Sequence, residues 1–242
     1  MKERIVEWIK DYFDKNGKGC KAVVGISGGK DSSVCAALLC EALGKDRVVG
    51  VLMPQGNQHD IDVSYALVNY LGIRHYVVNI GETYEKLVDA VVAEGKITKE
   101  QISQNKVFYS NTPARLRMSV LYGISALVGG RVANTCNRSE DYVGYSTKFG
   151  DSAGDFSPLS DLLVHEVKEL GYELGLPKMF IEKAPEDGLS GKTDEDNMGF
   201  TYAVLDRYIQ TGEIDDLEIK KKIDGMHRAN LHKIQPMPAF KK

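Results

Sequence analysis

The residues whose types and spacing most clearly suggest a binding site lie in one stretch near the start of the chain. This stretch is residues 23–33, Val-Val-Gly-Ile-Ser-Gly-Gly-Lys-Asp-Ser-Ser. Gly28 and Gly29 allow the backbone to turn tightly and to approach a ligand without a Cβ in the way. Ser32 and Ser33 are good N-cap residues, and the free amides of a first helical turn, with the positive end of the helix dipole, bind phosphate. The stretch therefore predicts a phosphate-binding turn at the start of a helix.

Two charged residues indicate which kind of phosphate this turn binds. Lys30 adds a positive point charge, whereas the carboxylate of Asp31 suits an anion site only when a cation lies between it and the phosphates. The turn therefore predicts a magnesium nucleotide. It is not a Walker A loop, because Val24 stands where that motif requires glycine and Asp31 where it requires Ser or Thr, and it is not a GxGxxG dinucleotide turn.

The turn resembles the Ser-Gly-Gly-x-Asp-Ser loop of the ATP pyrophosphatases, which bind the β- and γ-phosphates of ATP there, release pyrophosphate and transfer AMP to an acceptor. The alternative is a glycine-rich strand-to-helix turn without a ligand. The turn alone does not identify the acceptor. By resemblance, the residues that contact ATP are Gly25, Ile26, Ser27, Gly28, Gly29, Lys30, Asp31 and Ser32.

Further segments resemble one branch of these enzymes, the NAD synthetases, which amidate nicotinic acid adenine dinucleotide (deamido-NAD). Residues 111–118, Asn-Thr-Pro-Ala-Arg-Leu-Arg-Met, resemble the family's Asn-x-x-x-Arg-x-Arg-Met segment. Residues 144–151 resemble its Gly-x-x-Thr-Lys-x-Gly-Asp segment, and a His-Lys pair lies near the C-terminus. The resemblance implies deamido-NAD contacts for Arg115, Lys148, Asp155, His232 and Lys233.

Parts of this substrate assignment have plainer alternatives. The planar guanidinium of Arg115 suits a pyrophosphate or a carboxylate, but residues 111–118 also fit a helix with two arginines on its exposed side. His232-Lys233, read alone, is typical of a solvated helix end. The order and spacing of all the segments together favour the substrate assignment.

Residues 135–140, Thr-Cys-Asn-Arg-Ser-Glu, match a further family segment. The resemblance implies that Thr135 contacts ATP and that Glu140 binds magnesium. Asp31 and Glu140 would then supply two hard oxygen ligands, while phosphates and waters complete the octahedron. Without this pairing, Thr135 and Glu140 are ordinary loop residues.

Val164 departs from the family pattern, because many relatives have a lysine that contacts ATP at this place. By resemblance Thr193 contacts ATP, and we hypothesise that Lys192 beside it supplies the missing charge. The composition of residues 184–197 suits a mobile lid, with a plain solvated loop as the alternative.

An α/β fold must position these residues. Short β-branched apolar runs predict strands at 21–26, 47–53, 74–80 and 131–136. Helical periodicity predicts helices at 3–14, 34–43, 60–71, 82–93, 112–128, 161–174, 199–209 and 215–231, with Pro113 in a first turn. This alternation predicts a doubly wound parallel sheet with ligands at the carboxyl ends of its strands, and much of the active site in 137–155. By resemblance, the sheet is of the adenine-nucleotide α-hydrolase type.

Length, composition and charge limit the classes of protein to which this chain can belong. A chain of 242 residues with 43% hydrophobic content predicts one α/β domain over 1–242. A net charge of −3 gives no reason to expect nucleic-acid binding. The cysteines have neither a CxxC pair nor zinc-site spacing, which favours reduced thiols. Because no signal peptide or membrane-length apolar run is visible, we expect a cytoplasmic protein without membrane association.

Together these segments predict an ammonia-dependent NAD synthetase. By resemblance, the carboxylate of deamido-NAD attacks the α-phosphorus of ATP, pyrophosphate leaves, and ammonia displaces AMP from the acyl-adenylate without an enzyme nucleophile. Glutamine-using relatives carry an N-terminal amidase domain, whereas about twenty residues precede the first strand here, so we expect no glutaminase domain. Family members are homodimers, and we expect a dimer to which the helix around Trp8 contributes.

Two other functions fit parts of the sequence. A tRNA-modifying enzyme would share the phosphate-binding turn, but it would show a catalytic cysteine pair or a basic RNA-binding domain, and neither is visible. A nucleotide-binding regulatory module without turnover would account for Val164. Such a module, however, does not require Asp31 and Glu140 to form a metal pair.

Overall fold

The computed structural model describes residues 1–58, 61–183 and 193–241. The strands are β1 (Lys21–Gly25), β2 (Val48–Leu52), β3 (Arg74–Val77) and β4 (Gly130–Ala133). The helices are α1 (Lys2–Asn16), α2 (Lys30–Leu43), α3 (Ile61–Leu71), α4 (Gly81–Val92), α5 (Lys99–Gln104), α6 (Lys106–Val128), α7 (Arg138–Val143), α8 (Val164–Glu173), α9 (Lys178–Ile181), α10 (Asp194–Met198), α11 (Tyr202–Thr211) and α12 (Leu217–Ile234).

The strands form a parallel sheet in the order β3-β2-β1-β4. The chain adds strands outward from β1 to β3 and then returns to place β4 on the other side of β1. This reversal creates a switch point between β1 and β4, where the ends of two strands open a crevice for ligands. The predicted doubly wound parallel sheet is confirmed, and the turn after β1 lies at its carboxyl edge.

Helices cover both faces of the sheet. Ala22 and Val24 point to the face that packs against α1, α2, α8 and α9. Val23 points to the opposite face, which α6 covers through residues such as Leu121 and Ile124. Because both faces are covered, β2 is buried at every position, as is usual in parallel sheets.

The start of α2 differs from the prediction. The helix begins at Lys30 rather than at Val34, and Gly29, in an extended conformation, is its N-cap residue. Ser32 and Ser33 lie inside the first turn, where their hydroxyls donate to the carbonyl of Gly29 at 3.1 and 2.8 Å. The N-cap role predicted for these serines is therefore wrong, because the glycine before them already starts the helix.

Helix α6 also begins earlier than predicted, at Lys106 rather than at residue 112. Its start is fixed by Asn105, whose side chain accepts a hydrogen bond from the amide of Phe108 at 2.9 Å. Pro113 consequently lies inside the helix and not in its first turn, so its missing N–H leaves one helical hydrogen bond unmade. Neither α6 nor any other helix within the described residues has the length and apolarity needed to cross a membrane.

Helix α12 completes the C-terminal end of α7. The last carbonyls of a helix have no partner within it and need donors from elsewhere. The side chain of Asn230 donates to the carbonyl of Val143 at 3.0 Å, and Lys233 donates to the carbonyl of Gly144 at 2.7 Å. The position of α7 therefore depends on a helix near the end of the chain.

The fit between α7 and α12 leaves no room for a side chain at Gly144, which has a φ of +64°. A Cβ there would lie 2.1 Å from Cβ of Asn230, whereas a Cβ at Gly129, at the same φ, would meet nothing within 4 Å. We expect Gly129→Ala to lower the free energy of unfolding by about 1–2 kcal/mol through backbone strain. We expect Gly144→Ala to cost about 1–3 kcal/mol more, the usual range for overpacking.

Urea unfolding followed by circular dichroism measures both variants of this glycine pair. Equal destabilisation of the two variants would show that α12 leaves room for a side chain at Gly144, and would contradict this close packing.

Candidate active site

The conformation of the turn after β1 is fixed by hydrogen bonds of serine hydroxyls and by close packing around a glycine. Gly28 has a φ of +77°, and a Cβ there would lie 3.1 Å from Oγ of Ser64, so both conformation and space require glycine. Oγ of Ser27 lies 3.1 Å from Oγ of Ser32, and the amide of Gly29 donates to Ser27 Oγ at 3.2 Å. This arrangement brings the N-terminus of α2 to the carboxyl edge of the sheet, where a helix start binds phosphate well.

Lys30 is a charged residue of the turn, and its side chain is only 2% exposed. Its Nζ lies 2.8 Å from Oδ2 of Asp31, 3.9 Å from Oε1 of Glu140 and 5.5 Å from the centroid of the Tyr202 ring. Burial opposes its charge, but the carboxylates of Asp31 and Glu140 raise the pKa of Lys30 above its ordinary value. The ammonium is therefore charged and directed at two carboxylates.

Asn137 connects the two carboxylates. It is fully buried and caps α7: its side chain accepts from the amide of Glu140 at 3.0 Å, and Glu140 Oε2 accepts from the amide of Asn137 at 3.3 Å. Its Nδ2 also donates to Oδ1 of Asp31 at 2.9 Å. Sequence reasoning missed Asn137, although the Asn-x-x-Glu spacing is a recognised signal for a helix start.

The chemistry of these carboxylates fits a magnesium ion. Burial raises the pKa of Glu140 well above its ordinary value, the charge of Asp31 raises it further, and Lys30 lowers it. Oδ2 of Asp31 and Oε1 of Glu140 both face a single position, that of the Lys30 ammonium, and offer the hard oxygens that magnesium prefers. Among the described residues no group of three or more His, Cys, Asp or Glu is placed to hold a metal ion.

A cavity of about 370 Å³ lies beside the turn. It is bordered by Lys30 and by residues from four further parts of the chain, among them Val164, His165, Lys168, Thr193 and Tyr202. The structure thus brings Val164 and Thr193, both singled out from the sequence, to the same space as the turn. Thr193 is the N-cap of α10, and its hydroxyl donates to Oδ2 of Asp196 at 2.7 Å.

Two further residues concern the predicted ATP site, Thr135 and Lys192. Thr135 is the second residue after β4, half-buried, at the same edge of the sheet as the turn. Lys192, which we hypothesised to replace the lysine absent at Val164, lies outside the described residues. Most of 184–197 does so as well, so both the substitution and the lid stay predictions.

The residues expected to contact deamido-NAD come from three parts of the chain, and the structure brings four of them together. Arg115 on α6 donates through Nε to the carbonyl of Lys148 at 3.3 Å, and Lys148 Nζ donates to the carbonyl of His232. Lys233 donates to the carbonyl of Ser146 at 2.9 Å. These contacts hold the loop after α7 between α6 and the end of α12.

Asp155, the fifth of these residues, is bonded within the fold. Its Oδ2 accepts from the amide of Val132 in β4 at 2.7 Å, and its Oδ1 accepts from the hydroxyl of Tyr122 at 3.4 Å. The hydroxyl of Tyr12 donates to its carbonyl at 3.1 Å. The residue therefore ties β4 to α1 and α6, whatever it contacts in a substrate.

A buried network near α8 was missed by sequence reasoning. The carboxylate of Asp206, which is buried, accepts from the hydroxyl of Ser139 at 2.5 Å and from the backbone amide of His165 at 3.1 Å. The ring of His165 lies 2.9 Å from the same carboxylate. The network fixes α7, α8 and α11 to one another around the cavity. The sequence around Asp206 contains no local pattern that predicts this network.

Comparison with known proteins identifies the family. A family model described as NAD synthase matches residues 1–242. The chain belongs to the NAD synthase family. It is 35% identical over 241 residues to the NH(3)-dependent NAD(+) synthetase of Alkaliphilus metalliredigens, covering 98% of this chain and 96% of that relative. It is 37% identical over 234 residues to the same enzyme of Carboxydothermus hydrogenoformans, covering 96% and 93%.

Solved structures of similar proteins agree with this membership. NMN synthetase from Francisella tularensis superposes with a TM-score of 0.87 at 33% identity, covering 99% of this chain and 97% of that one. The NH3-dependent NAD synthetase of Campylobacter jejuni gives a TM-score of 0.76 at 27% identity, covering 100% and 97%. The resemblance to ammonia-dependent NAD synthetases and the α-hydrolase type of sheet are thereby confirmed, and as a member of the NAD synthase family the chain is a ligase.

Asn137 both caps α7 and bonds to Asp31, so we expect its substitution to lower activity as well as stability. Asn137 and Asn105 both cap helices, but only Asn137 also donates to Asp31. We expect Asn137→Ala and Asn105→Ala each to lose a cap worth about 1 kcal/mol in unfolding free energy. We expect only Asn137→Ala to lower kcat/KM for ATP, by about 10–100-fold, as for other residues that orient metal ligands.

Steady-state kinetics and urea unfolding of these two asparagine variants provide the measurements. A similar kcat/KM for both would mean that the contact with Asp31 has no part in the reaction.

Proposed function

We propose that the protein converts deamido-NAD to NAD, using ATP and ammonia and releasing AMP and pyrophosphate. The observation that carries this proposal is that Asp31 and Glu140 face one cation position beside a glycine turn at a helix N-terminus. The NH(3)-dependent NAD(+) synthetases among the relatives support ammonia as the nitrogen donor. The four unpaired cysteines support a reducing, cytoplasmic setting.

In this proposal the turn binds the leaving group. The amides at the start of α2 and the hydroxyls of Ser27 and Ser32 bind the β- and γ-phosphates, while Thr135 and Thr193 contact ATP from the neighbouring elements. Asp31 and Glu140 would hold the magnesium ion, which when bound neutralises charge on the departing pyrophosphate. Catalysis comes from positioning and charge stabilisation, without a covalent enzyme nucleophile.

The other half of the proposed reaction concerns the pyridine substrate. Its carboxylate oxygen attacks the α-phosphorus of ATP, the bond to pyrophosphate breaks, and an acyl-adenylate forms. Ammonia then attacks the acyl carbon, AMP leaves, and the surplus proton passes to solvent. We assign the binding of this substrate to the loop after α7 and its neighbours, Arg115, Lys148, Asp155, His232 and Lys233.

Pyrophosphate release tests the proposal directly. Purified protein receives ATP, magnesium, ammonium and deamido-NAD, and each component is omitted in turn. We expect pyrophosphate release to require deamido-NAD, and NAD to appear only with ammonium present. Absence of release in the complete mixture, from folded protein, would favour a nucleotide-binding module, and release stimulated by tRNA would favour a tRNA-modifying enzyme.

A second substrate is favoured by one comparison. The solved structure with a TM-score of 0.87 is named NMN synthetase, and amidation of nicotinic acid mononucleotide would form NMN. The carboxylate of nicotinic acid mononucleotide would react in the same two steps, and this substrate lacks only the AMP half of deamido-NAD. Competition between the two substrates in one mixture decides between them: we expect NAD to be the main product, and an excess of nicotinamide mononucleotide would reverse the assignment.

We further propose a homodimer. Large apolar side chains are exposed on the outer helices, including Val107 (67%) and Leu127 (84%) on α6 and Trp8 (45%) on α1. Such side chains often mark association surfaces. We expect light scattering to give twice the chain mass of 26.8 kDa, and Leu127→Glu to weaken the dimer at least about tenfold because it places a charge in the interface. A mass of one chain at micromolar concentration would contradict the dimer.

A further inference from the structure

The ammonium of Lys30 lies where a metal bound by Asp31 and Glu140 would be expected. Its Nζ is 2.8 Å from Oδ2 of Asp31 and 3.9 Å from Oε1 of Glu140. The Tyr202 ring lies over it, with 5.5 Å between Nζ and the ring centroid. Lysine is rarely buried this completely without a specific partner, and here the partners are the two predicted metal ligands.

The oxygens that face Lys30 are the ones that Asn137 does not bond to. Asn137 already donates to the other oxygen of each carboxylate, Oδ1 of Asp31 at 2.9 Å and Oε2 of Glu140 at 3.3 Å. A divalent ion that replaced the ammonium between the two carboxylates would meet Oδ2 of Asp31 and Oε1 of Glu140. These are the two atoms that the ammonium contacts.

The ammonium and a divalent ion cannot share this position. Magnesium binds oxygen at about 2.0–2.1 Å, which is closer than the ammonium approaches, and two positive charges within a few ångströms repel strongly in a site shielded from water. Lys30 has somewhere to move, because it also borders the cavity of about 370 Å³ beside the turn. A side chain with four flexible bonds can turn its ammonium from the carboxylates into that cavity.

We propose that Lys30 is a built-in counter-ion of the metal site. In the protein without nucleotide its ammonium holds Asp31 and Glu140 together and excludes free divalent ions from them. When metal and nucleotide enter together, the ammonium leaves the carboxylates and turns towards the phosphates. The inference rests on the proposed function for the identity of the nucleotide, but it makes a separate claim about metal binding to the protein alone.

Direct binding of Mn²⁺ to the nucleotide-free protein tests this inference. Lys30→Met keeps the length of the side chain and removes its charge. We expect the dissociation constant for Mn²⁺, measured by electron paramagnetic resonance, to fall at least about tenfold in Lys30→Met, because the competing cation is gone. We also expect Mn²⁺ to raise the melting temperature of this variant more than that of the natural protein, since a ligand stabilises the state that binds it.

Lys168→Met is the matched control. Lys168 borders the same cavity, but its ammonium pairs with Glu182 at 3.1 Å. Its loss removes the same charge from the same cavity, so we expect less than a twofold change in the Mn²⁺ dissociation constant. A gain in affinity as large in Lys168→Met as in Lys30→Met would overturn the proposal, because it would reflect general electrostatics.

The inference fails if folded Lys30→Met binds Mn²⁺ no more tightly than the natural protein does. If Lys30→Met does not fold, Lys30→Gln provides the same measurement with a polar side chain that can bond to the carboxylates. Because the measurement uses neither deamido-NAD nor turnover, its failure is distinct from failure of the proposed function. A protein that binds Mn²⁺ as expected but forms no NAD would support the role of Lys30 and contradict the proposed reaction.

Discussion

The structure depends on a compact charge cluster in which one ammonium and two carboxylates share a shielded space. The side chains of Lys30, Asp31 and Glu140 are 2%, 18% and 15% exposed, so each has lost most of its contact with water. Charges in such a place are tolerated only when they compensate one another and when their remaining atoms are hydrogen-bonded. Asn137 meets the second condition by bonding to both carboxyl groups. The cluster can therefore exist only if the elements that carry these residues are held firmly.

Much of the surrounding fold serves that requirement. The hydroxyl of Ser139 bonds to Asp206, which also holds the start of α8 through His165, so α7, α8 and α11 form one bonded unit. At its other end α7 is completed by α12, whose Asn230 donates to the carbonyl of Val143. A residue near the end of the chain thus helps to place Glu140. Fully satisfied networks of this kind rigidify a site, which suits the proposed reaction, in which two charged substrates must be positioned.

The sequence predicted local features well where one residue type has one physical reason to be present. Apolar runs marked the strands, and Gly28 marked a turn that needs a positive φ and close packing. Predictions of helix starts failed where a second residue nearby also favours the start of a helix. Ser32 and Ser33 are good N-cap residues, but Gly29 before them already takes that position. Pro113 is typical of a first helical turn, yet Asn105 starts the helix earlier because its side chain satisfies the amide of Phe108.

The fold class and the family could be predicted from the sequence, because strand and helix periods, turn glycines and motif spacing are local properties of the chain. The pairing of the predicted site residues in space, in contrast, depends on the tertiary structure. Asn137 meets Asp31 from a position 106 residues away, and the partners of Lys30 follow from that meeting. Lys30 looked from the sequence like a cation for phosphate, and the fold instead buries its ammonium between two carboxylates. Such pairings depend on how the strands are ordered in the sheet, and no local pattern contains that order.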